Sequence, residues 1–493
     1  MGCTDSKDQA QTPTTQGKIH GVPASANCMG PLLLGKDAGA AELENCDLMS
    51  GAHMKPEFIK KNPFHQVPVL EEADGFALGE SNAILRYLAA KYAPELYPAD
   101  PKTRARINFA LDVCGDTLYS KWLLVVCPVQ GFRGPHEDLK KARDDLKTVM
   151  DAFATTFVGK SGKFICGDKL TIADYKALPY LWALMQPVCE AKTGVKLSDR
   201  MKAYVEGVMA AVKSSEMLKS CGGWSLAEHI ASKKDALPDA QGVVVIVGEP
   251  GEKCIEPTKG PAKAEEKAAK VHGVPMSCNA LSPILLAKNA GIGDIEMCNV
   301  MEGAHKQPEF LAKNPFGLVP TFEGSDGFCV GESGAVLRYV AASYSEHVDP
   351  GTYPTNDPKV TARIDWAVDA FASAVYPKWA KIVPPVMGFQ PWASPEEQKK
   401  ANTELADALT MWATCFLDSS TGKYVCGDTL TLAEYKVLPY LFALKQKVTM
   451  DKSGFTPCEK ISKYTDDIKS AISSDFLTSN GGFSLAEFID SKA

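Results

Sequence analysis

Residues 61–81 read KNPFHQVPVLEEADGFALGES, and residues 313–333 read KNPFGLVPTFEGSDGFCVGES. Each stretch carries groups that together hold a small peptide with a free α-amino-acid end. The Val67-Pro68 and Val319-Pro320 steps, if cis, turn the valine N–H and C=O outward to pair with an extended backbone. Glu80 and Glu332 offer a carboxylate to an ammonium. Ser81 and Ser333 offer a hydroxyl to a carboxylate, backed by the free N–H groups of the helix that starts there. Upstream, Ser25 in GVPAS and Ser277 in GVPMS stand where a strand runs into a helix. A hydroxyl at that point serves as an N-cap, or it donates to a ligand sulfur. The second role is chemical. A free thiol titrates at about 8.5, and an aimed donor with the helix dipole behind it favours the thiolate.

These groups need a frame. Residue patterning predicts a strand over 18–22, a helix over 27–38, a strand over 42–48 and a short helix over 56–61. A hairpin turning at 73–75 and a helix over 80–92 follow. Asp-Gly between two apolar runs is a hairpin signal, and a proline lacking its N–H suits a strand end. A βαβ unit followed by ββα is the thioredoxin-like plan. Beyond residue 101 the period is helical throughout, over 104–126, 137–157, 171–185 and 198–212. Thr171-Ile172-Ala173-Asp174, repeated as Thr431-Leu432-Ala433-Glu434, is a capping box, read here as a folding element with no part in the chemistry. Pro31 and Pro283 lie inside the first helix of each half, which predicts a helix that starts late or is distorted.

The second half repeats the first. Ser25 and Ser277, like Pro68 and Pro320, are 252 positions apart. The fold class is α/β plus all-α, in two tandem units. The predicted organisation is a flexible tail (1–16), a thioredoxin-like domain (17–93), a helical domain (101–233), a linker (234–269), a second thioredoxin-like domain (270–345) and a second helical domain (357–493). The linker is rich in Pro, Gly, Lys and Glu. Its apolar run 243–247 is read as an edge strand or a surface-docked segment.

The order GxPxS, NPFxxVPxxE and Glu-Ser, met twice, resembles the glutathione site of the glutathione transferase superfamily, most closely its phi and theta-like classes. That resemblance implies glutathione as cosubstrate, with Val67-Pro68 and Val319-Pro320 cis and paired to its cysteinyl backbone. Glu80-Ser81 and Glu332-Ser333 would bind the γ-glutamyl end, and Ser25 and Ser277 would stabilise the thiolate. His53 and His305 match the family's histidine near the glycyl end, with Lys306 beside the second and Gln66 in the family's GQVP. Met54 and Leu318 depart from that pattern. Phe64 and Phe316 correspond to the aromatic key that enters a partner subunit, or they anchor a core. Two-fold pairing in the family implies that the two repeats pack as an intramolecular pseudo-dimer. The implied activity is conjugation of glutathione to small electrophilic, apolar compounds held between the domains, with Tyr119, Trp122, Tyr376 and Trp379 as pocket or core aromatics. Two rival readings stand beside it. EGSDGFCVGES and the IVPP stretch at 382–385 also resemble the non-catalytic transferase-like domain of the gamma subunit of the eukaryotic elongation-factor-one complex. Cys28 and Cys278, just past the serines, suggest a glutathione-dependent thiol reductase.

Composition narrows the classes. A formal charge of −7 and a pI near 5.7 give no electrostatic footprint for nucleic acid. The 15 cysteines are scattered, not paired as metal ligands, so no metal is expected. Cys46 and Cys298, like Cys166 and Cys426, recur and are read as buried core. With neither a long apolar span nor a signal peptide, the expected location is cytoplasmic with reduced thiols. The opening MGCTDSK fits N-myristoylation at Gly2 with palmitoylation at Cys3, which adds peripheral membrane attachment.

Overall fold

The computed structural model describes residues 17–158, 163–235, 237–247, 269–472, 475–480 and 484–493. Gly2, Cys3 and most of the linker lie outside these residues.

Each half opens with a four-stranded sheet. In the first the strand order is Ala41–Asn45, Gly17–Gly21, Val69–Glu72 and Ala77–Gly79. The outer pair is parallel, Ile19 facing Leu43, and the other pairings are antiparallel, Ile19 facing Leu70 and Leu70 facing Leu78. The second half repeats this with Asp294–Met297, Lys270–Gly273, Thr321–Glu323 and Cys329–Gly331. Alternation along each central strand follows the period of two. Ile19 enters the core, while His20 on the other face meets Glu71 at 2.7 Å, and Lys61 joins the same carboxylate at 2.8 Å. His272, Glu323 and Lys313 repeat that arrangement.

The helices Ala26–Asp37 and Cys278–Asn289 begin directly after Ser25 and Ser277, with Pro31 and Pro283 inside them. This corrects the expected late start. A helix-interior proline costs about 3 kcal/mol, but residues 28–35 are buried almost without interruption, and that burial outweighs the lost backbone bond. Close packing is visible at Gly30, where a Cβ would come within 2.9 Å of the Tyr175 carbonyl. In the second half the same place is Ser282, whose hydroxyl donates to the Lys436 carbonyl at 3.0 Å.

The capped helices are Ile172–Leu184 and Leu432–Leu444. Asp174 takes the backbone N–H of Thr171 and of Ile165 (2.9 Å each) and the Tyr204 hydroxyl. Glu434 does the same for Thr431, Val425 and Tyr464. The predicted run 104–126 is three segments: helix Pro101–Asp112, a π-helical turn Val113–Leu118 and helix Tyr119–Val125. Its counterpart turns at Phe371–Val375. Wide turns of this kind re-aim side chains, and both of these face the opposite half.

The halves pack against each other directly. Helix Ser81–Tyr92 lies on Pro358–Ala370, and helix Ser333–Ser343 lies on Pro101–Asp112. At the centre, Asp112 and Asp369 each bridge Arg86 and Arg338 (2.8–3.6 Å), and both arginines are only 2% exposed. Phe64 packs on Phe416 at a centroid distance of 6.4 Å, and Phe316 on Phe109 at 5.7 Å. Both phenylalanines therefore act as keys into the other half's helices.

The run at 243–247 forms strand Val244–Ile246, parallel to Val195–Leu197 of the first half. Cys46 and Cys298 are buried as expected, whereas Cys166 and Cys426 are half-buried, because each lies in the turn that leads into a capped helix and not in a layer interior. Among the described residues no helix is long and apolar enough to cross a membrane.

Candidate active site

The backbone turn expected to present a peptide-pairing edge forms in both halves. Val67-Pro68 and Val319-Pro320 are cis. The asparagine of each NPF motif holds the loop before the proline: Asn62 Nδ2 donates to the Gln66 carbonyl (2.9 Å) and Asn314 Nδ2 to that of Leu318 (3.0 Å). The Gln66 side chain is exposed, Lys306 Nζ donates to the Gly317 carbonyl at 3.1 Å, and His53 and His305 are half-buried on 3-10 turns. Nδ1 of His53 and of His305 is buried without a hydrogen-bond partner among the described residues.

Glu80 and Glu332 stand immediately before the third helix of each half with φ of 63° and 64°. Left-handed backbone is costly for a residue with a Cβ, and here it lets the carboxylate turn across the interface. Ser373 Oγ donates to Glu80 at 2.6 Å, and Thr117 Oγ1 to Glu332 at 2.9 Å. Both donors sit on the π-helical turns of the opposite half. Burial pushes the Glu80 carboxyl up to about 7, partly opposed by Ser373. Burial also raises Glu332. Burial and the nearby Glu332 together raise Asp116 well above the usual carboxylate range. The two sites therefore differ: the second carries an extra carboxyl group, Asp116, from the first half.

The serines differ too. Ser25 makes no cap bond with its side chain, while Ser277 Oγ accepts from Ala280 N at 3.3 Å. Each hydroxyl stands at the start of a twelve-residue helix, and that of Ser25 also lies within hydrogen-bonding reach of the Cys28 thiol. The neighbouring thiols do not suit thiolate chemistry. Cys28 and Cys278 are buried; burial pushes Cys28 up to about 11 and raises Cys278 further. Trp122 and Trp379 are core: their indole N–H groups donate to the Tyr180 and Tyr440 carbonyls at 3.1 and 3.0 Å. Tyr119 and Tyr376 stay half-buried beside them.

Sequence reading missed one group in each half. Lys176 Nζ reaches from the capped helix to donate to Ser81 Oγ at 2.6 Å and to Asn27 Oδ1 at 3.0 Å. Lys436 Nζ donates to Ser333 Oγ at 2.6 Å. The Tyr180 and Tyr440 hydroxyls bond Asn27 and Asn279. The capped helix thus also carries a buried lysine against the Ser81 or Ser333 hydroxyl, a contact that the matched lysines of DYK and EYK could have signalled.

The chain matches the family described as Glutathione S-transferase, N-terminal domain, over residues 17–90 and again over 268–342. It matches Glutathione S-transferase, C-terminal domain, over 121–211. Glutathione S-transferase APIC of Nicotiana tabacum is 31% identical over 203 residues, 39% of this chain and 92% of the relative. Glutathione S-transferase theta-2 of Mus musculus is 34% identical over 171 residues, 33% of this chain and 68% of the relative. A delta-class glutathione transferase of Nilaparvata lugens, a solved structure, aligns with 44% of this chain and 99% of its own at 31% identity and a TM-score of 0.38. With its N-terminal domain present twice and the sheet-then-helices plan in both halves, the chain belongs to the glutathione S-transferase family as a tandem member.

Proposed function

We propose that each half binds glutathione and transfers it, as a thiolate, to electrophilic apolar compounds. The observation that carries this reading is the doubled constellation of a serine at a helix start, a cis Val-Pro step and Glu-Ser at a second helix start. In this reading the valine N–H and C=O of Val67 and Val319 pair with the cysteinyl backbone. Glu80 and Glu332 take the ammonium, Ser81 and Ser333 the α-carboxylate, and His53 and His305 lie at the glycyl end with Gln66 and Lys306. Ser25 and Ser277 donate to the sulfur. The units 17–93 and 270–345 hold glutathione, and 101–233 and 357–493 supply the second pocket. Retention on immobilised glutathione together with turnover of chlorodinitrobenzene tests this. Retention without turnover would instead support a binding module.

The carboxyl at Glu80 makes the reading sensitive to pH. An ammonium needs the ionised form, so binding should tighten as pH rises through about 7 and weaken below it. S-methylglutathione, which has no thiol proton to confuse the measurement, is expected to bind roughly 30-fold more weakly at about pH 5.5 than at about pH 8. Glu80→Gln with Glu332→Gln should bind weakly with a nearly flat profile. A profile that keeps its slope in this double variant would remove the glutamates from the ammonium site.

The N-terminus supports a second, independent proposal, membrane attachment through acyl groups on Gly2 and Cys3. Myristate alone binds only marginally, and Lys7 and Lys18 are the sole basic residues among the first eighteen, so palmitate on Cys3 would supply the second anchor. Gly2→Ala is expected to move the protein from the membrane to the soluble fraction with its activity intact. Equal fractionation of wild type and variant, or an intact mass without an acyl group, would reject it.

A further inference from the structure

The buried lysines carry an inference that rests on the glutathione reading above and extends it. Lys176 is 1% exposed and Lys436 4%. Among the described residues neither forms an ion pair. Their hydrogen-bond acceptors are neutral: Ser81 and Asn27 in one half, Ser333 in the other. Each ammonium also lies over a tyrosine ring, Tyr180 or Tyr440, at 5.4 Å. Acidic groups act on each lysine electrostatically without forming an ion pair among the described residues: Glu80, Asp116 and Asp369 on Lys176, and Asp116, Glu332 and Asp112 on Lys436. An ammonium in such a setting is costly. Its neighbour makes the setting more positive still. The third helix of each half, twelve and eleven residues long, starts at the bonded serine with no side-chain cap, so its first N–H groups and its dipole add partial positive charge at the same point. Ammonium and helix start converge on the same serine, and among the described residues neither lysine has an ion-pair partner there.

The bond to serine has a directional consequence. An ammonium donates and never accepts. The Ser81 and Ser333 oxygens must therefore accept from lysine, which turns each serine's own O–H away from the ammonium. We propose that Lys176 and Lys436 are positioning and specificity residues for the α-carboxylate of the ligand's γ-glutamyl end. Each orients the serine hydroxyl and supplies the charge that selects an anionic group at that subsite.

The probe pair is glutathione and γ-aminobutyryl-Cys-Gly, which lacks only that α-carboxylate. Calorimetric titration of the full chain should show the analogue binding about 10–100-fold more weakly, the range for loss of charge-assisted bonds. In Lys176→Met with Lys436→Met, glutathione should weaken while the analogue changes little, bringing the two affinities within about threefold. Lys176→Gln with Lys436→Gln, whose amides still donate to the serines, should keep part of the discrimination, and it stands in if the methionine pair does not fold. A variant that folds and discriminates as fully as wild type would overturn the proposal while leaving the glutathione reading intact. Failure of the wild type to bind glutathione would overturn the reading of the site, and this inference with it.

Discussion

Ser25→Ala with Ser277→Ala is expected to lower kcat for conjugation of chlorodinitrobenzene by between about tenfold and a few hundredfold. A single donor to a developing sulfur anion contributes roughly 2–3 kcal/mol, and the helix dipole behind it remains in the variant. The ultraviolet band of bound thiolate should weaken in parallel, because the loss lies in ionisation and not in grip. The affinity for S-methylglutathione, which has no thiol to ionise, should change little. Neither hydroxyl caps its helix strongly: Ser25 makes no cap bond, and that of Ser277 is 3.3 Å long. The variant should therefore fold normally. Unchanged turnover in the double variant would take serine out of the mechanism.

Asp369→Ala is expected to destabilise the chain by about 3–5 kcal/mol, the loss typical when one partner of a buried charge cluster is removed. Asp369 accepts from Arg86 of the first half at 2.8 Å and from Arg338 of its own half at 2.9 Å. Burial acts to raise its carboxyl, but the two guanidinium groups outweigh it and hold Asp369 below the ordinary value. Without that carboxylate, two guanidinium groups 2% exposed keep Asp112 and Asp365 as their carboxylate partners, with Asn108 on Arg86. The cost falls on the contact between halves, so urea unfolding should report a lower midpoint. The wild-type chain should scatter light as a 53.1 kDa monomer, since its two-fold interface is satisfied internally. A destabilisation under about 1 kcal/mol would mean that the cluster is solvated and that packing alone joins the halves.

Much of the fold and site was legible because the signals are local. Val-Pro, Asp-Gly, Glu-Ser and the Thr-x-x-Asp and Thr-x-x-Glu boxes each fix a turn, a strand end or a helix start within a few residues, and their repetition 252 positions later, or 260 for the boxes, marked the duplication. Three features were decided by tertiary structure alone. Pro31 and Pro283 do not delay their helices, since packing on the capped helices overrides a local preference. Glu80 finds Ser373 across 293 positions and Arg86 finds Asp369 across 283, contacts that no periodicity encodes. Lys176, in a helix whose other residues are nearly all apolar, carries the polarity of a solvent-facing position, yet it meets Ser81, 95 residues away, in the interior. Side-chain polarity states what a residue needs as a partner. Only the packing of helix against sheet determines whether water or a buried hydroxyl supplies it.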